Sequence, residues 1–129
     1  MFYVYYNVFL GIAKMTFISQ MEQIVAKWAK RQVDDEWLFQ SFRKDIIGKM
    51  STEEAYGYID DVVGVLLQQH DEVVVNEVLE TLLALARQSD TTQMPNKLES
   101  AVTQIKSMCD KYSEYTINKC SELFTHYRL

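Results

Sequence analysis

The stretch from Ser51 to Gln88 carries an apolar pattern that constrains the fold more than any other part of this sequence. Its apolar residues recur at steps of three and four, and at 100° per residue such positions fall on one face of a helix. Ser51 followed by Glu54 is a capping-box pattern for a first helix, and Asp71 is a favourable N-cap for a second. The pattern predicts two amphipathic helices that lie antiparallel across a tight turn at His70 and Asp71.

The run Val73–Val75 permits a different interpretation, because β-branched residues favour strands. The helical stripe, however, continues unbroken through this run to Ala86. The whole chain of 129 residues has only four glycines and one proline, and it lacks a hairpin signal of the Asn-Gly kind. The sequence therefore predicts an all-α fold, with one helical domain over residues 15–129 after an apolar extension at 1–14.

The N-terminal extension is rich in apolar and aromatic residues over positions 1–13. It lacks the basic region and the small-residue cleavage site of a signal peptide. It is also shorter than the roughly 20 apolar residues that cross a membrane as a helix. Two interpretations stay open: a start-site extension, since Met15 or Met21 could also begin the protein, or an extra helix or strand that covers the first hairpin.

Helical patterns flank the central hairpin on its N-terminal side. One helix is predicted from Thr16 to Gln32, and Asp34 caps a second that runs to about Met50. Trp37 and Ile47 lie off the apolar side of this second helix. That apolar side is formed by Leu38, Phe39, Phe42 and Ile46.

On the C-terminal side, a loop over 89–95 precedes a helix for which Asn96 is the expected N-cap, with Glu99 at the third helical position. The helical pattern then runs to Tyr127, as one continuous helix or as two. A break at Ser113 is favoured, because Ser113 and Glu114 repeat the Asp-Glu pattern found at residue 71. The sequence thus predicts three hairpins, at about 15–50, 51–88 and 96–127.

The second and third hairpins align at an offset of 42 residues, which matches both the caps and several apolar positions. The segment from Leu66 to Leu82 resembles the HEAT-repeat core, with a Leu pair, an Asp cap, a Val and then Ala/Leu positions. Two features depart from that family, since Val75 stands where a basic residue is usual and the first helix lacks a proline. The resemblance implies three consecutive antiparallel hairpins in a short α-α superhelix. It implies no particular activity.

The formal net charge of −5 bears on the class of partner. It disfavours binding to nucleic acid or to an anionic membrane, both of which usually need a basic patch, and it suits a basic protein. Cys109 and Cys120 both occupy apolar helical positions. Two such cysteines are typical of small buried side chains in a reducing compartment, so a cytoplasmic location is expected.

Catalytic and metal-binding patterns are missing from the sequence. His70 and His126 have no second histidine at helical spacing, and neither cysteine has an activating histidine nearby. There is no Gly-x-Ser-x-Gly motif and no phosphate-binding glycine loop. We therefore expect no catalytic residues, no metal and no cofactor, while an enzyme with a helical active site stays an alternative.

The second helices of the predicted hairpins carry a series of carboxylates. In a superhelix the second helices stack side by side and present a concave face, which would attract a basic protein. The alternatives are an ordinary solvated face and, for Trp37, packing inside the fold instead of use as a binding anchor. The candidate partner-binding residues are Asp35, Glu36, Trp37, Asn76, Glu77, Glu80, Asn118 and Glu122.

These patterns favour a non-enzymatic protein-binding module. In size and charge the chain resembles small acidic bacterial immunity proteins, and that likeness implies neutralisation of a basic toxin by covering it. The alternative is a structural or homo-oligomerisation module, in which residues 1–13 and Trp37 would be buried against a second copy.

Overall fold

All the secondary structure that the computed structural model describes, over residues 17–27 and 37–129, is helical. The prediction of an all-α chain is confirmed over these ranges, which contain no strand. None of their helices has both the length and the apolar character that crossing a membrane requires. The helices are α1 (17–27), α2 (Trp37–Ile46) with a 3-10 turn at Ile47–Lys49, α3 (Thr52–Leu67), α4 (Glu72–Ser89), α5 (Asn96–Cys109) and α6 (Glu114–His126).

The chain divides into two compact units, residues 1–35 and 36–129, and α1 belongs to the first. Phe17, Met21 and Val25 are buried at steps of four along α1, as the predicted stripe requires. The proposed extension at 1–14 lies outside the described residues. The division after residue 35 falls within the predicted hairpin at 15–50.

The apolar side of α2 agrees with the sequence pattern in part. Phe39 and Phe42 are buried, as predicted. Ile47, which the helical periodicity places off this side, is also buried, with 2 % of its surface exposed. The reason is that the 3-10 turn at Ile47–Lys49 packs against α4, as α2 itself does. A tertiary neighbour therefore buries a residue that local periodicity assigns to solvent.

Helix α3 begins with the capping box that the sequence predicts. The Glu54 backbone N–H donates to Ser51 Oγ at 3.1 Å, and the Ser51 backbone N–H donates to Glu54 Oε1 at 3.2 Å. At the start of α4, Asp71 Oδ1 accepts a hydrogen bond from the Val73 backbone N–H at 2.9 Å. Residues 73–75 are therefore the first turn of a helix, which excludes the strand interpretation.

Helices α3 and α4 pack against each other and run in opposite directions. Gln88 near the end of α4 donates its Nε2 hydrogen bond to the Met50 carbonyl, just before α3, at 2.7 Å. Since only residues 68–71 join the two helices, their remaining ends can meet only if the helices are antiparallel. The predicted central hairpin is therefore confirmed as a pair of packed helices.

Two helices, not one, occupy the C-terminal region, and α6 has Ser113 as its N-cap. The break favoured at Ser113 is therefore confirmed. The expected N-cap at Asn96 is wrong by one position, because Pro95 is the N-cap and Asn96 is the first helical residue. The Leu98 backbone N–H instead donates to Asp60 Oδ1 of α3 at 3.1 Å, so a neighbouring helix supplies the capping oxygen.

Helix α4 has the most extensive packing of the described helices, since α3, α6 and α2 all contact it. In addition, α5 packs against both α3 and α6. The first helices of the last two hairpins are thus neighbours, and so are the second helices. The buried residues of α4 are Val74, Val75, Val78, Leu79, Thr81, Leu82, Leu83, Leu85, Ala86 and Ser89.

The two glycines of α3 differ in their surroundings, and this predicts different effects of alanine. A Cβ atom added at Gly57 would meet nothing within 4 Å, whereas one at Gly64 would lie 3.0 Å from Lys97 Nζ. We expect Gly57→Ala to raise the free energy of unfolding by about 1 kcal/mol, because alanine loses less backbone entropy in a helix. Gly64→Ala should raise the free energy of unfolding by less, since the Lys97 side chain must move to make room for the new methyl group. Urea denaturation measures both, and a destabilised Gly57→Ala protein would contradict the prediction.

Tyr127 at the end of α6 has a buried hydroxyl with no hydrogen-bond partner among the described residues. Burial, together with the nearby Tyr56 and Asp60, raises the pKa of Tyr127 to about 12. We expect Tyr127→Phe to raise the free energy of unfolding by about 1 kcal/mol, because it removes an unsatisfied polar group from the interior. Tyr115→Phe, at an exposed ring, is the control and should change little. A clear loss of stability in Tyr127→Phe would show that its hydroxyl does have a partner.

Candidate protein-binding surface

The start of α6 is fixed to the start of α4 by the carboxylate of Glu72. The Ser113 backbone N–H donates to Glu72 Oε1 at 2.9 Å, and the Ser113 hydroxyl also donates to this oxygen. The Thr116 hydroxyl lies 2.8 Å from Glu72 Oε1 and 2.7 Å from Asn76 Oδ1. These contacts place the two helix starts side by side, so α4 and α6 run parallel.

The same hydrogen bonds tune the ionisation of Glu72. The hydrogen bonds from Ser113 lower the pKa of the Glu72 carboxyl most, and the hydrogen bond from Thr116 lowers it further. A carboxylate at a helix start is also favoured by the positive end of the helix dipole. Glu72 therefore stays negatively charged at neutral pH while it binds the start of α6.

A row of ion pairs crosses the outer side of the second helices. Arg43 Nη1 of α2 lies 2.7 Å from Glu77 Oε2 of α4, and both side chains are half-buried. Lys119 of α6 pairs with Glu80 of α4 and approaches Glu122 at 3.4 Å. We call this row the ion-pair ladder, and its members are Arg43, Glu77, Glu80, Lys119, Glu122 and Arg87, which lies 3.1 Å from Glu122.

The ladder changes the expected electrostatics of the acidic face. Its three carboxylates meet three cations, so their formal charges cancel. The hydrogen bond to Glu80 and the charges of Glu80 and Glu122 raise the pKa of Lys119, which keeps this cation charged. Glu77 and Glu80, which the sequence pattern predicts to be stacked like charges, are thus each paired within the chain.

The structure brings part of the predicted site together. Asn76, Glu77 and Glu80 lie on α4, and Asn118 and Glu122 lie on the adjacent α6, where Asn118 is exposed. Of the remaining candidates, Asp35 and Glu36 fall outside the described residues, and Trp37 is the first residue of α2.

Two exposed apolar side chains at matching positions were not among the predicted site residues. Val73 is 51 % exposed and Tyr115 is 58 % exposed. Each is the second residue of its helix, and the two are separated by the repeat offset of 42. Because α4 and α6 start side by side, both residues lie at the same end of this pair of helices. The aligned repeat contained this signal, but amphipathic patterns alone do not separate an exposed apolar position from a buried one.

The first turn of α6 differs from the corresponding turn of α4. Ile117, which the offset of 42 aligns with the buried Val75, is 38 % exposed, while Thr116 is fully buried. The hydrogen bonds of Thr116 to Glu72 and Asn76 satisfy its hydroxyl, which permits its burial and turns Ile117 outward.

Acidic residues adjoin the exposed apolar pair. Asp71 and Glu72 precede Val73, and Glu114 precedes Tyr115. We call these five residues the helix-start patch. The Tyr115 ring lies 5.7 Å from Lys119 Nζ, a cation–π distance that links the patch to the ion-pair ladder.

Comparison with known proteins gives no assignment: no family model matches the chain, and no curated protein or solved structure is significantly similar to it. Over residues 17–27 and 37–129, no three His, Cys, Asp or Glu side chains are grouped so that they could hold a metal ion. The surface that α4 and α6 form is therefore the candidate functional site.

The lowered pKa of Glu72 predicts a pH dependence of stability. A carboxyl group whose pKa is lowered by folding stabilises the folded state fully at pH values above its ordinary pKa of 4.5. This stabilisation is lost as the pH falls through the pKa of the folded state. We expect the unfolding free energy of Glu72→Gln to fall less than that of wild type between about pH 5 and pH 3.

Thr116→Val provides the matched variant for this test, since it removes one donor and should reduce the acid sensitivity only in part. Urea denaturation across this pH range measures all three proteins. Equal acid sensitivity in Glu72→Gln and wild type would contradict the prediction.

Proposed function

We propose that this chain is a non-enzymatic protein-binding module that holds its partner through the helix-start patch of α4 and α6. The observation that carries the proposal is the exposure of Val73 and Tyr115 at matching positions of two parallel, adjacent helices. Exposed apolar residues that recur at one end of a helical layer are well placed for contact with another protein.

Tyr115 is the side chain best suited to act as the anchor. Tyrosine is enriched among the residues that dominate binding energy, because it presents a large surface and orders few rotatable bonds on binding. Lys119 near its ring, itself paired with Glu80, favours a defined ring position. The neighbouring ion-pair ladder has the character of a polar rim around such an anchor.

The charge of the patch favours a basic partner. Asp71, Glu72 and Glu114 adjoin the two apolar residues, and the net charge of the chain is −5. The ion-pair ladder cancels its own charge, so we assign the attraction to the patch and not to Glu77 or Glu80. Charge complementarity of this kind speeds association and selects among partners.

We further propose that the two hairpins formed by α3 to α6 are consecutive units of a short HEAT-like superhelix. This is supported by the contacts of α3 with α5 and of α4 with α6, since side-by-side first helices and side-by-side second helices are typical of such arrays. The helix-start patch would then lie along one edge of the layer of second helices.

Neutralising a basic toxin by covering it, in the cytoplasm, is the specific use that the likeness to bacterial immunity proteins implies. A homo-oligomerisation module would use the same exposed residues toward a second copy. The two uses differ in what the patch captures, so one experiment separates them.

Truncation of the anchor tests the proposal. The tagged full chain, as wild type and as Tyr115→Ala, is used to capture proteins from the source cell, and binding to the purified captured protein is then measured. We expect Tyr115→Ala to weaken this binding at least about tenfold, or roughly 1.4 kcal/mol, as removal of an interface anchor does.

Leu129→Ala is the matched control, because Leu129 is 63 % exposed at the other end of α6. It should bind as wild type does. A partner that binds wild type and Tyr115→Ala equally would show that the helix-start patch is not the binding surface. Capture of nothing but further copies of this chain would favour the oligomerisation alternative.

A further inference from the structure

The two cysteines of the chain meet across the last helical hairpin. Cys109 is the final residue of α5 and Cys120 lies on α6, which packs against α5. Both are free thiols, 1 % and 4 % exposed. Both side chains line the same groove, and each thiol shifts the pKa of the other, so the two side chains are neighbours.

Both cysteines line a groove in the protein. The groove has a volume of about 200 Å³ and is also lined by charged, polar and apolar side chains. A small molecule entering this groove would thus meet a sulfur atom although the cysteine residues themselves are buried. The other lining residues are Lys106, Asp110, Ile117, Ser121, Phe124 and Leu129.

The surroundings of the two thiols shift their pKa values in opposite directions. The hydrogen bond from Cys109, and then the charge of Lys106, lower the pKa of Cys120 against the opposing effects of burial and Asp110. The same hydrogen bond, together with burial, raises the pKa of Cys109. Cys120 is therefore the thiol that more readily becomes the attacking thiolate.

We propose that Cys109 and Cys120 form a reversible redox-modification site whose reactant is a low-molecular-weight disulfide of the oxidised-glutathione type. The product is a disulfide bond that joins the end of α5 to α6. The inference rests on the adjacency of the two thiols and on the groove beside them, and it is independent of the proposed binding function.

The reaction proceeds in two exchanges. The Cys120 thiolate attacks one sulfur of the small disulfide, whose S–S bond breaks and releases one small thiolate, leaving a mixed disulfide on Cys120. Cys109 then loses its proton and attacks Cys120 Sγ, which breaks the mixed disulfide and releases the second small thiolate. The two protein thiols are oxidised, the small disulfide is reduced to two thiols, and those two thiols take up the two protons.

The site gives oxidation a structural consequence. The new bond would close a loop from residue 109 to residue 120, which contains the turn between α5 and α6. Such a cross-link restricts the unfolded chain, so the oxidised protein should unfold at a higher temperature than the reduced protein. In a reducing compartment the bond would form only transiently, as is usual for redox-sensing pairs.

The test uses the folded full chain incubated with oxidised glutathione. Mass spectrometry of the intact protein should show the loss of two hydrogens and no retained glutathione, reversed by a dithiol reductant. The melting temperature of the oxidised form should be higher. If the native chain resists oxidation, and the bond forms only after denaturation, the proposal is refuted.

Two single variants test the order of attack. Cys109→Ser leaves Cys120 without its resolving thiol and should accumulate the glutathione mixed disulfide. Cys120→Ser leaves only the more buried thiol and should react roughly tenfold more slowly. Circular dichroism establishes that both variants retain helicity, and equal reaction rates in the two folded variants would overturn the assigned roles. If either variant fails to fold, oxidation of wild type in its folded and denatured states still decides whether the site exists.

Discussion

The packing of α4 on three sides is the constraint on which the rest of the described fold depends. Helices α3, α6 and α2 all contact it, so even small polar residues of α4 are buried. Thr81 Oγ1 donates to the Glu77 carbonyl and Ser89 Oγ donates to the Ala86 carbonyl, which satisfies both hydroxyls within the helix. Only a narrow strip of α4 is left for charged residues. Basic side chains on α2 and α6 border that strip, and this explains why Glu77 and Glu80 are paired.

Carboxylates of the central hairpin also fix the position of the next one. Asp60 of α3 caps the start of α5 through Leu98, and Glu72 of α4 binds the start of α6 through Ser113 and Thr116. Both contacts act on helix starts, where backbone N–H groups lack partners within their own helix. They align the two hairpins along their axes, and this alignment brings Val73 and Tyr115 to the same level.

Local signals predicted the central hairpin well. The capping box at Ser51, the N-cap at Asp71 and the apolar stripe of α4 all depend on neighbours within a few residues, and the structure has each of them. The predictions are wrong where the capping, burial or pairing of a residue depends on another residue that is distant in the sequence. The cap of α5 comes from Asp60, the burial of Thr116 depends on Glu72, and the pairing of Glu80 depends on Lys119.

The candidate binding surface, too, could be predicted from the sequence only in part. Periodicity assigned the carboxylates to one face of the second helices but could not show that cations from other helices neutralise them. The offset of 42 pairs position 73 with position 115, and yet only the exposed fractions show that both side chains are accessible. The fold class could therefore be predicted from the sequence, whereas the site required tertiary contacts.

The proposed thiol chemistry requires no change in the packing of α5 and α6. At the offset of 42, Cys109 aligns with Leu67 and Cys120 aligns with Val78, so the central hairpin has ordinary apolar residues at these positions. Cysteine is smaller than leucine, and the groove of about 200 Å³ lies beside the two sulfurs. Helical packing tolerates small buried thiols as it does other small apolar side chains. Cysteine at these two positions is therefore compatible with the packing of the hairpin, and it places two thiols beside the groove.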